Sequence, residues 1–402
     1  MIRNGMYLST THVTRPVPAL CESAAAVRSV RGRLLAYVLH IAAWGSLMLL
    51  SGANILQAQG RFSDMNDQQF VDYLRDQREA AALAVQPGSS SSRLASKCGL
   101  AASSEASRRL MSASPAMAAE IRALLAPLVM QVSIVSPSGK FRIHYDTSGR
   151  HTPAMLDAGL NRIPNTAREY ADSAAAIFDE VYRKEVEQGG YDAPPLRPGE
   201  NEYQIYLLEW CGTYYGVTRF DNPLPNSGTV MPTYASYMEV DNDYREYQTQ
   251  GLEELRVTAA HEYHHMVQLG SYGLWGTSTW WHEMASTYFE EVCYPEINDY
   301  FQYVKDFVKY PERPWYQWSN GGYEIVLWPL FLEHRYDPSV FREAWENARQ
   351  LEPVSAMRDA IRDHRPVSGD MAEDLCSWAM ENFFLGYRAD RRETKVYVDA
   401  AQ

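Results

Sequence analysis

Apolar residues recur along this chain in three regimes. Leu34 to Leu50, LLAYVLHIAAWGSLMLL, is one unbroken apolar run, with Arg28, Arg31 and Arg33 before it and SGANILQAQG after it. From residue 136 the apolar positions come in short β-type runs bounded by turn residues: FRIHY at 141–145, YQIYLLEW at 203–210 and ASYMEV at 235–240. A helical pattern, TAREYADSAAAIFDEVYRKEVEQGGY, lies between the first two and is closed by Gly189 and Gly190. Beyond 248 nearly all the signal is helical. Strands first and helices afterwards predict an α+β domain over 136–402, with a β-rich half at 136–247 and a helical half at 248–402.

The order of basic residues, apolar run and small residues upstream is that of a secretory signal peptide, so 1–58 reads as that signal and the segment preceding it. Cleavage fits after Ala53 or after Ala58. The alternative is a retained anchor of 17 residues, short for a bilayer that takes about 20. Export predicts a secreted, periplasmic or envelope location with no stable membrane span after cleavage. Residues 61–85 predict a charged helix. The stretch 87–115 is Ser/Ala-rich with little to bury, so 59–135 reads as a linker or removable pro-segment.

Composition narrows the partners. Thirty-seven Lys and Arg against 50 Asp and Glu give −13, and residues 1–58 hold five Arg and one Glu, leaving 32 basic and 49 acidic residues in the mature chain. Without surplus cations, nucleic acid is not an expected partner. The hydrophobic content of 46% suffices for a core, and a mean hydropathy of −0.38 excludes a multi-pass membrane protein. Cys98, Cys211, Cys293 and Cys376 remain after the signal, none in the CxxC spacing of a redox or zinc module.

The chemistry concentrates in LEELRVTAAHEYHHMVQLG, 252–270, predicted as a helix with Glu253 and Glu254 in its first turn and Gly270 as its stop. His261 and His265 are one turn apart on one face and can reach a single Zn2+; Glu262 falls beside the ion, where it can act as general base. A catalytic zinc takes three protein ligands and keeps a fourth place for water. The next helix, STWWHEMASTYFEEV at 278–292, offers Glu283 as the third, with Glu290, two turns on, as the alternative. His264 is offset from the ligand face and reads as packed or exposed, and His282, on a different face from Glu283, reads as packing or substrate rim. Tyr272, Tyr323 and His334 are candidates for stabilising an oxyanion, and spacing does not choose among them.

Together these blocks resemble secreted bacterial and archaeal zinc metallopeptidases of the gluzincin type (HExxH…E). The resemblance spans roughly 136–400 and rests on SPSGKFRIHYDTSG, YQIYLLEWCGTYYGVT, SYMEVDNDY, RVTAAHEYHHMVQ, WWHEMASTYFEEVCYPEINDY and SWAMENFFLGYR. It implies a zincin-like fold, one catalytic Zn2+ held by His261, His265 and Glu283, Glu262 as general base, and hydrolysis of a protein or peptide substrate. Two departures stand out. The family's calcium-loop-like segment is Asp157-Ala-Gly159-Leu-Asn161-Arg162-Ile-Pro164 here, with two oxygen-bearing or turn positions gone, which argues against calcium. The position four residues after the Glu ligand, an Asp in thermolysin-like enzymes, is Thr287, leaving Thr287 or Glu290 to orient a ligand.

The segment 236–244 before the metal helix is a candidate edge strand for an extended substrate, or else an ordinary strand ending in a turn. Two rival functions remain open: a zinc hydrolase acting on cell-wall peptides or glycoproteins, and a non-catalytic exported binding protein with a structural zinc.

Overall fold

In Phe141–Tyr145 the alternation of FRIHY buries Phe141, Ile143 and Tyr145 and leaves Arg142 and His144 half-buried on the other face. Tyr203–Leu208, Tyr214–Arg219 and Tyr237–Asp241 are instead buried at every position, because layers cover both of their faces. The structure is a computed structural model, and it describes residues 62, 64–82, 96–225, 227–317, 321–365, 370–385 and 397. The signal-peptide segment lies outside them. Among the described residues no helix is long and apolar enough to cross a membrane.

The architecture is mixed α and β around one six-stranded sheet. In chain order the strands are β1 (Ser96–Cys98), β2 (Val132–Val135), β3 (Phe141–Tyr145), β4 (Tyr203–Leu208), β5 (Tyr214–Arg219) and β6 (Tyr237–Asp241). Their spatial order is β1-β5-β6-β4-β3-β2. The pairs β1–β5, β3–β4 and β4–β6 run parallel; β2–β3 and β5–β6 run antiparallel. β6 is thus interior, paired on both sides, so of the two readings of 236–244 the ordinary strand ending in a turn holds and the edge strand does not. An all-buried strand flanked by Tyr and Met carries no sequence mark of an edge.

Helix α1 (Asp67–Ala82) falls inside the expected 61–85, and α2 (Leu100–Leu110) and α3 (Pro115–Leu125) follow β1. Within the described part of 87–115, helix α2 departs from the reading of a stretch with little to bury. Ser103, Ser104, Ser107, Ala102 and Ala106 are all buried in α2, where their small size lets the helix lie close to β5. The sheet also takes strands from both sides of the expected boundary at 135/136. A buried ion cluster ties α1 to the sheet. Arg78 donates to Glu239 Oε1 at 2.8 Å, and Arg219 donates to Oε2 at 3.0 Å.

α4 (Ala167–Tyr182) packs on β3, and α5 (Gly251–Val267) crosses between the sheet and α6 (Thr279–Cys293). α5 is buried nearly all round, which is why its apolar residues show no single stripe. Its helical path continues as a wide turn over Gln268–Tyr272 and ends at Gly273, φ 99°, so Gly270 is not the stop. α7 (Phe301–Lys309), α8 (Leu327–Arg335), α9 (Ser339–Ala348), α10 (Pro353–His364) and α11 (Met371–Phe383) complete the helical half.

Burial alone would raise the Glu239 carboxyl, but the charges of Arg78 and Arg219 outweigh it and hold the group below 4.5. A depressed carboxylate adds stability that is complete above its unfolded value and drains away as pH falls through the folded one. Glu239→Gln leaves two buried guanidiniums without their counter-charge and is expected to cost about 3–5 kcal/mol in chemical denaturation near pH 7. The gap between the two proteins should shrink below pH 4.5. An unchanged midpoint at pH 7 would show that the pair contributes nothing.

Candidate metal centre

The first turn of α5 carries Glu253 and Glu254, its middle is Thr258-Ala259-Ala260, and its last turns present His261 and His265 on one face. α6 runs beside it and supplies Glu283. The His261 Nε2 and His265 Nε2 atoms are 3.2 Å apart, and Glu283 Oε2 lies 3.1 Å from the first and 3.3 Å from the second. All three side chains are buried. A fourth donor completes the group: the Sγ of Cys98, at the end of β1, so that the four ligand atoms lie within 4.8 Å of one another. This buried cluster of two imidazoles, a carboxylate and a thiol could hold a metal ion. The three expected donors are thus brought together, and Cys98, which the sequence reading did not place here, lies with them. The sequence hid Cys98 inside a Ser/Ala-rich segment, where only pairing with another cysteine came into question.

The ring orientations follow from hydrogen bonds around the cluster. The backbone N–H of Trp275 donates to His282 Nε2 at 3.1 Å, which leaves the proton of that ring on Nδ1. His282 Nδ1–H donates to Gln268 Oε1 at 2.9 Å, and His265 Nδ1–H donates to the same oxygen at 2.9 Å. Gln268 is fixed in turn by donating from Nε2 to the His282 carbonyl and to Ser286 Oγ. The lone pair of His265 Nε2 must then point into the cluster. Burial, with the neighbouring His265 charge, pushes His282 down to about 3, in keeping with a neutral ring. His282 is thus a positioning residue, neither donor nor rim.

His261 is held the same way by a different partner. Its Nδ1–H donates to Glu290 Oε1 at 2.7 Å, while Glu290 Oε2 accepts from Lys97 Nζ at 2.7 Å. Lys97 also pairs with Asp299, and all three groups are buried. Glu290 is therefore a partner of a donor, and not the donor that was its alternative role. Among the described residues Thr287 bonds along its own helix, donating to the Glu283 carbonyl. Burial disfavours a charged His261, but hydrogen bonds from Glu283 and Glu290 overcome it and push the ring up to about 9. Glu283 is raised by burial and pulled down further by His265 and His261, to about 2.

Glu262 stands beside the cluster. Its Oε2 accepts from Thr218 Oγ1 at 2.6 Å, and its buried Oε1 has no hydrogen-bond partner among the described residues. It presses against β5 at Gly216, where a Cβ would come within 2.6 Å of Glu262 Cγ, so only glycine admits the carboxylate there. After burial, the charges of Glu262 and Glu283 are what lift the Cys98 thiol well above its ordinary value. The general-base candidate thus adjoins the fourth donor.

The remaining candidates separate cleanly. Tyr323 is buried with its ring 5.6 Å from that of His261, and its hydroxyl feels Glu283, Cys98 and Glu262. Tyr272 bonds instead to Glu346 and to the Asp192 N–H, and His334 is exposed. His264 stacks on Phe289 at 3.9 Å and bonds Glu185. No protein-family model matches the chain, and no curated protein matches it.

Partners of metal-bound histidines tune affinity about 10–100-fold. Gln268→Leu is expected to weaken metal binding by that factor in competition with a chromophoric chelator, with one ion per wild-type chain as the reference. Equal affinity would mean that His265 is not aimed through Gln268.

Proposed function

We propose that this chain is an exported zinc-dependent endopeptidase of zincin-like fold, with His261, His265 and Glu283 as zinc ligands and Glu262 as general base. The donor set fits zinc. Ligands at about 2.0–2.1 Å in a tetrahedron stand about 3.3–3.4 Å apart, close to the edges among the three atoms here. Bound there, zinc would supply Lewis-acid polarisation of a carbonyl and would lower the pKa of a water.

The observation that carries the reading is Glu262, a buried carboxylate outside the donor set, with one oxygen fixed by Thr218 and the other without a partner among the described residues. A structural ion gains nothing from such a group. In peptide hydrolysis Glu262 takes a proton from the attacking water and passes it to the leaving amine. In this reading Tyr323, buried with its ring beside that of His261, donates to the developing oxyanion. Export, resting on the basic, apolar and small-residue order at 28–58, belongs to the same proposal.

One observation favours the rival of a non-catalytic binding protein with a structural zinc: Cys98 as a fourth buried donor. The assay is therefore run with Cys98→Ala beside the wild type. Glu262→Gln should keep one zinc per chain in either background. It should slow cleavage of an unstructured protein such as casein about a hundred- to ten-thousand-fold against its own background. A chain that binds zinc and cleaves nothing in either background would sink the peptidase reading in favour of the structural one.

A further inference from the structure

We propose that residues 96–98 hold this centre in a latent state, the Cys98 thiolate serving as fourth metal ligand and β1 lying along the strand edge that an extended substrate would use. The proposal rests on reading the centre as a peptidase site, and it specifies how that site is regulated.

Three independent features carry it. The first is position. Cys98 Sγ lies with the three donors, and Cys98 stands opposite Gly216, the residue against which Glu262 packs, so the thiol adjoins the carboxylate that must face the attacking water. A divalent ion on two neutral imidazoles, a carboxylate and a thiolate carries no net charge, so it polarises a carbonyl less than the three-donor ion does.

The second feature is backbone pairing. β1 runs parallel along the outer side of β5, with Ser96 opposite Tyr214 and Cys98 opposite Gly216. β5 is the strand whose Gly216 and Thr218 hold Glu262, and without β1 it would end the sheet. A peptide captured by strand addition next to Glu262 needs that same edge. Substrate and β1 cannot both have it.

The third feature is anchoring. Lys97 reaches the opposite way from Cys98, as alternation on a strand requires, and its buried ammonium pairs with Glu290 and Asp299. The flanking helices add Arg78 to Glu239, Tyr73 to Tyr214 at 2.6 Å and Ser107 to Tyr234 at 3.0 Å. Gly99 follows directly, and a Cβ there would come within 2.6 Å of Val217 Cγ1. On binding the metal the thiol gives its proton to solvent; on release Cys98 regains a proton and water takes its place. No bond to carbon changes and no electron moves.

The test uses the full chain, loaded with Co2+ for spectroscopy and with Zn2+ for cleavage of casein, as wild type, Cys98→Ala and Gly99→Ala. The wild type should show a sulfur-to-cobalt charge-transfer band. Cys98→Ala should lose it, keep one metal per chain, and cleave roughly tenfold faster or more as the competent fraction rises. Gly99→Ala, with all donors intact, should weaken the band and raise cleavage in step, which guards against a fault in folding of the first variant. The proposal is overturned, with the peptidase reading intact, if the wild type cleaves as fast as Cys98→Ala and shows no thiolate band. It is overturned together with that reading if the band is present, is lost in Cys98→Ala with metal retained, and no variant cleaves. Loss of the metal from a folded Cys98→Ala also overturns it, since Cys98 is then a structural ligand.

Discussion

A single buried carboxylate, Glu290, joins the parts of this molecule that matter for its chemistry. One of its oxygens accepts a hydrogen bond from the Nδ1–H of His261, which points Nε2 at the cluster; the other accepts from the ammonium of Lys97 on β1. A carboxylate this deep is costly to leave without partners, so the metal helix, its neighbour α6 and the N-terminal strand are held to a common geometry. Gln268 plays the matching part for His265, and there the constraint begins at one backbone N–H, that of Trp275. The two imidazoles of a cluster that could hold a metal ion are thus aimed by groups outside it.

The helical spacing made the core of this centre legible in the sequence. His261, Glu262 and His265 stand on one helix and Glu283 on the next because a four-residue interval and a short glycine-bearing connection leave little choice of geometry. What stayed hidden was non-local. Ser96–Cys98 forms a strand only because β5 offers it a partner, and its three residues have no periodicity of their own to read. Glu290 lay in view as an alternative ligand, yet choosing between touching the metal and touching a ligand requires the rotation of α6 about its axis. The wide turn after Val267 was equally invisible, since it inserts Gln268 under both His265 and His282 at the place where the sequence suggested that the helix was closing.

The sheet shows the same division. FRIHY declared itself by alternation, whereas β5 and β6, YYGVTR and YMEVD, are buried at every position and bury polar and charged residues too, so their sequences show no inward or outward side. That is why the wrong strand seemed a candidate for the edge. The Ser/Ala composition around 100–110 misled for a related reason: small polar residues suit solvent, but they also let a helix settle closely on a strand, and only the partner tells the two apart.

The order β1-β5-β6-β4-β3-β2 sets β1 and β2, the first two strands among the described residues, at opposite rims of one sheet, and Ser96 meets Tyr214 across more than a hundred intervening residues. Such a contact closes a very long loop, so β1 is among the slowest pieces to find its place during folding. Until it docks, β5 presents an unpaired row of amides and carbonyls, the feature that invites a neighbouring chain to join edge to edge. The rim that β1 finally occupies is therefore also where a newly made copy of this protein is most exposed to aggregation.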